Sequence, residues 1–84
     1  MENKKQNIKI NIVNFIKELS QGKAVPENID LVESGLLDSF SFVELIIFLE
    51  KQFNIKVNPY EVRVEDLRSV GSLVSFVMRK TGDS

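Results

Sequence analysis

The sequence predicts an all-α fold, a bundle of four helices with three longer ones and one of a single turn, and a long loop between the first two. Three observations carry that prediction. Apolar residues recur at helical spacing in three separate stretches. Glycine, proline, asparagine and serine gather between those stretches, where helices end and the chain turns. With 84 residues and 43% hydrophobic content there is room for one domain and one modest core, residues 1–84 with 1–4 and 81–84 frayed.

The first helix is read from Ile8, Ile12, Phe15, Ile16 and Leu19, with Lys9, Asn14, Lys17 and Glu18 on the other side. Its start falls between Lys4 and Ile8. The alternation Ile8-Lys9-Ile10-Asn11-Ile12 also suits a short strand, but no turn signal or partner strand follows, and a lone strand leaves its backbone unpaired. Ser20-Gln21-Gly22 closes the helix, with Gly22 as a left-handed cap. From Lys23 to Leu37 the chain holds Pro26, Asn28, Asp30, Ser34 and Gly35, too many turn formers for regular structure. A connection of about 15 residues is uncommon in a small domain unless it is functional or packed by its own side chains. Val25, Ile29, Leu31, Val32, Leu36 and Leu37 are the anchors available to it, and its expected task is to set Ser39 in an exposed position.

The second helix is the most apolar element. Gly35 supplies a backbone angle that other residues resist, and Asp38, Ser39 and Ser41 are all of the helix-capping type, so the helix starts near Asp38 or Ser39. Ser41 and Glu44 also have capping-box spacing. Phe42, Leu45, Ile46, Leu49 and Phe53 gather on one side as the core face. The opposite side carries Glu44 and Lys51 together with Phe40 and Ile47, and Phe48 lies at its edge. Either other helices wrap this one on most sides, or these apolar residues form a protein-docking surface just downstream of Ser39.

Beyond Phe53 the helical pattern stops, and Pro59 could not continue it. Tyr60-Glu61-Val62-Arg63 reads as extended or turn-like, and Val64-Glu65-Asp66-Leu67 as the one-turn helix. The last helix starts near Ser69 with Val70, Leu73, Val74 and Val77 inward and Phe76 close to that stripe. Gly71 weakens its first turn by up to ~1 kcal/mol relative to alanine. Arg79 and Lys80 suit its negative C-terminal end.

Composition narrows the chemistry. The chain has neither cysteine nor histidine, which removes disulfides, thiolate metal sites and the commonest nucleophile-base pairs. Ser39 is left without an obvious activating base, so a non-catalytic role is expected. No apolar run approaches the roughly 20 residues that span a bilayer, and Lys9 and Asn11 interrupt any signal-peptide segment, so a cytoplasmic location without membrane insertion is the default. The net charge of −1 hides an asymmetry: between Asp30 and Asp66 eight acidic residues face three basic ones, while the rest of the chain is net basic. An acidic surround of Ser39 favours basic protein partners over nucleic acid.

Gly35-Leu36-Leu37-Asp38-Ser39-Phe40, then Val43-Glu44-Leu45 and Leu49-Glu50-Lys51-Gln52-Phe53, resembles the attachment region of acyl, peptidyl and D-alanyl carrier proteins. The resemblance implies a four-helix bundle and a covalent 4'-phosphopantetheine on Ser39, placed there from coenzyme A by a phosphopantetheinyl transferase. It also implies an acyl- or aminoacyl-activating enzyme and downstream transferases or synthases as partners, with thioester cargo on the arm. Asp38 then takes the role of the family's loading-step aspartate, associated with metal and transferase contacts, besides capping the helix. Phe40, Glu44, Ile47 and Glu50 become partner-docking residues. Ser41 and Lys51 stand where fatty-acid carriers commonly have acids, so a specialised carrier is expected rather than one for bulk fatty-acid synthesis. Bulky Phe42 and Phe48 leave little interior room for a long acyl chain, and a monomer keeps the docking surface free. The competing account is a small helical adaptor in which Phe40 and Ile47 bind a partner and Ser39 is only a cap.

Overall fold

A computed structural model describes residues 4–22 and 28–82, and within them the chain is all helical, with no strand. Three α-helices follow one another: α1 (Lys4–Leu19), α2 (Ser39–Phe53) and α3 (Val70–Lys80). Between α2 and α3 lie two 3-10 turns, Pro59–Glu61 and Val64–Leu67. The single-turn helix expected at Val64–Leu67 is therefore the second of these tighter turns. The stretch read as extended or turn-like begins with the other.

Each boundary has a local cause. At the end of α1 the N–H of Gly22 reaches the carbonyl of Lys17 at 2.8 Å and that of Gln21 reaches Glu18 at 3.1 Å, the paired bonds of a Schellman close. Both Gln21 (φ +60) and Gly22 (φ +86) are left-handed there, so the glycine shares the turn with a residue not expected to enter it. Residues 23–27, which include the predicted anchor Val25 and Pro26, lie outside the described residues. Asn54 ends α2 in the left-handed conformation, its N–H on the carbonyl of Glu50. Ser69 caps α3, accepting from the N–H of Ser72 at 3.1 Å.

The core is assembled from one stripe of each helix. Ile8, Ile12 and Ile16 of α1 meet Val70, Leu73, Val74, Phe76 and Val77 of α3 and Leu45, Ile46 and Leu49 of α2. Leu31, Leu37, Val57 and Leu67 close it from the connections. Asn11 receives a hydrogen bond from Gln52 and Phe15 stacks on Phe48, 4.7 Å between ring centroids, so α1 and α2 run antiparallel. Phe48, assigned from periodicity to the edge of the outer side, thus packs inward with Phe15 and, edge-on, with Phe53 at 6.3 Å. Phe42 is likewise half-buried against the core.

The segment between α2 and α3 holds its shape through carboxylates. Glu50 of α2 accepts the N–H of Val57 at 2.9 Å. Glu61 accepts that of Asn58 at 2.8 Å and pairs with Lys80 at 3.0 Å. Asp66 accepts that of Arg63 at 2.9 Å and pairs with Arg79 at 3.1 Å. Short 3-10 turns have weak internal geometry, and these side-chain acceptors compensate for it.

Candidate functional site

The connection into α2 is a closed turn with an apolar underside. Asp30 starts it by accepting the N–H groups of Val32 at 3.0 Å and Glu33 at 2.9 Å through one oxygen, and the Glu33 bond in particular lowers its pKa. The N–H of Leu37 returns to the carbonyl of Leu31 at 2.9 Å, and Gly35 makes that return possible at φ +84. Leu31 and Leu37 are buried beneath, and the N–H of Leu31 is bonded to the carbonyl of Leu67 at 3.1 Å. What leaves this turn is Asp38.

Asp38 is the N-cap of α2. Its Oδ1 accepts the N–H of Ser41 at 2.8 Å and its carbonyl accepts that of Phe42 at 2.8 Å. The Ser41 N–H holds the Asp38 carboxyl below the usual aspartate range, so it is ionised near neutral pH. Of the two starts expected for the helix, Asp38 caps and Ser39 is the first helical residue; Ser41 gives its N–H to that cap instead of capping.

Ser39 is exposed, and among the described residues its hydroxyl has no hydrogen-bond partner. It therefore stands beside the amide end of a 15-residue helix, where an attached anion is electrostatically favoured. On the same side of α2, Phe40 is 72% exposed, Val43 54% and Ile47 47%, with exposed Glu44 and Lys51 between and after them. Of the two accounts of this side, no helix covers it among the described residues. Val43 belongs to this row although it was not singled out as a docking residue; its position three residues beyond Phe40 and four before Ile47 was the available signal. Glu50 stands apart, its carboxylate turned to the Val57 backbone. No group of three or more acidic side chains suited to a metal occurs among the described residues.

The fold and site together are an all-helical domain whose middle helix, capped by Asp38, opens on an exposed serine. The chain belongs to the family described as phosphopantetheine attachment site, whose model matches residues 10–77, with Ser39 inside the match. It is a carrier protein, and 4'-phosphopantetheine is the covalent group of that family. Among similar proteins, the D-alanyl carrier protein of Streptococcus suis is 39% identical over 74 residues, 86% of this chain and 92% of its own. The D-alanyl carrier protein of Abiotrophia defectiva is 30% identical over 71 residues, 82% of this chain and 90% of its own. That of Bacillus velezensis is 35% identical over 66 residues, 76% and 85% of the two chains.

The residues present fit the group. Attachment needs a hydroxyl that an enzyme can reach, and Ser39 offers one that no described residue engages. A thiol is needed for thioester chemistry, and the chain has no cysteine of its own.

Proposed function

We propose that Ser39 is the attachment point and that the chain carries a small amino acid, D-alanine or a close relative, as a thioester. The observation that carries this is the free, exposed Ser39 hydroxyl at the first position of α2, inside the family match. The names of the relatives support the cargo. When bound, phosphopantetheine supplies a terminal thiol that holds an acyl group in activated form.

The chain's own residues do the rest. Asp38 fixes the start of α2 and presents an ionised carboxylate to the loading enzyme. Phe40, Glu44 and Ile47, joined by Val43, form the surface on which the transferase, an aminoacyl-activating enzyme and downstream acceptors dock in turn. Glu50 shapes the far end of the same helix. Half-buried Phe42 and Phe48 pack against the core, which favours a small cargo held outside the bundle. The four-helix description of carriers follows if the second 3-10 turn stands for the short third helix, with the long loop of that description between α1 and α2. A monomer in the cytoplasm, where coenzyme A and ATP are available, completes the reading, and no helix among the described residues is long and apolar enough to cross a membrane.

The test is mass spectrometry after incubation with coenzyme A, magnesium and a broad-specificity phosphopantetheinyl transferase. Wild type gains one phosphopantetheinyl group and Ser39→Ala gains none; an unmodified wild type overturns the reading. Subsequent incubation with ATP and a D-alanine-activating ligase transfers D-alanine to the modified chain, and a modified chain that this ligase leaves uncharged overturns the cargo assignment.

A further inference from the structure

Asp66 takes no part in the site just described, yet it is the one charged residue buried among the described residues, at 8% exposure. A carboxylate withdrawn from water persists only where it is paired and hydrogen-bonded, and loss of one partner leaves it unfavourable. Its Oδ2 takes the N–H of Arg63 at 2.9 Å, closing the second 3-10 turn, and its Oδ1 takes Nη2 of Arg79 at 3.1 Å. Arg79 is steadied in turn over the ring of Phe76, 5.8 Å from its centroid. The turn is thereby fixed to the last part of α3.

The next residue passes this on. Leu67 follows Asp66 and is buried, and its carbonyl accepts the N–H of Leu31. The carbonyl of Leu31 accepts the N–H of Leu37, and Asp38 and Ser39 follow directly. Hydrogen bonds and peptide links thus run unbroken from Arg79 to the start of α2. Glu61 and Lys80 are built the same way, one oxygen on a backbone N–H and an ion pair to α3. That second pair ends in the first 3-10 turn, which among the described residues makes no backbone hydrogen bond to the turn at 30–37. It is an internal control.

We infer that Asp66 and Arg79 are positioning residues for Ser39: they set the Leu67 carbonyl on which the turn delivering Asp38 and Ser39 is hung. The inference rests on Ser39 being the loaded residue. It is tested on the full chain by NMR amide exchange together with the kinetics of phosphopantetheine transfer. Arg79→Gln speeds exchange of the Leu31 and Leu37 amides by about tenfold and leaves those of Leu49 and Val74 near wild type. The same variant lowers kcat/KM for transfer by roughly fivefold, Arg79→Lys restores it, and Lys80→Gln changes neither measurement. Asp66→Asn repeats the test from the other partner.

Unchanged Leu31 and Leu37 amides in Arg79→Gln overturn the inference. So does uniform acceleration of every amide, an equal effect of Lys80→Gln, or unaltered loading despite accelerated amides. Failure of the transferase to load wild type overturns the Ser39 reading itself, and the amide comparison still decides whether Arg79 holds the turn.

Discussion

The two sides of α2 are built from similar residues and do opposite things. Leu45, Ile46 and Leu49 are buried in the core shared with α1 and α3, whereas Phe40, Val43 and Ile47, no less apolar, face outward at 72%, 54% and 47% exposure. Only the first set stabilises the fold by leaving water. The second stays in water on the helix that begins with Ser39 and contributes little to folding, which leaves it available for the docking proposed above. The contrast teaches that apolar periodicity finds a helix while its neighbours decide which apolar side chains become core.

Leu49→Ala tests the inner side and carries the largest effect, a loss of about 2–5 kcal/mol in unfolding free energy by chemical denaturation. A loss well under 1 kcal/mol would break the contrast. Phe40→Ala tests the outer side: stability stays within about 0.5 kcal/mol of wild type, while titration calorimetry shows transferase binding weakened by about 1–3 kcal/mol. Equal binding by wild type and variant would remove the docking role. Gly35→Ala probes the turn that feeds both sides. Apart from its chain neighbours, no atom of the described residues lies within 4 Å of the added methyl, so the cost is that of the left-handed backbone, about 1 kcal/mol, seen as a lower Tm.

The smallest effect concerns acid. Asp30, Asp38 and Glu61 all have pKa values below their ordinary 3.8, 3.8 and 4.5, chiefly because backbone N–H groups of Glu33, Ser41 and Asn58 bond to them. Lowered folded values mean that these groups stabilise the protein fully above the unfolded pKa and lose that contribution as pH falls through the folded values. Tm therefore holds steady from neutral pH to the ordinary carboxylate range and drops below it. Asp38→Asn flattens that drop slightly, and an identical pH profile would show that the cap charge contributes nothing.

Much of this was legible because it is local. Gly35, Asp38 and Ser39 mark the start of α2 by backbone preference and capping chemistry alone, and the stripes of α1 and α3 follow from spacing. Phe48 was misplaced because a helical projection does not contain the position of α1, whose Phe15 draws that ring inward. The two 3-10 turns were read only approximately because their closing carboxylates also pair with Lys80 and Arg79, far along the chain. Asp66 was missed for the same reason: a charged residue in a short apolar turn reads as solvated until its cation is located. Gln21 gave no signal, since a left-handed glutamine is chosen by the bonds that close α1.

Tyr60 stands 96% exposed on the first 3-10 turn, between the capping Asn58 and the paired Glu61. The chain contains one tyrosine and no tryptophan, so emission excited at wavelengths too long for phenylalanine to absorb comes from a single known place. Iodide quenching and anisotropy of that ring therefore report on the segment between α2 and α3 without any label, and a partner that covers it announces itself optically.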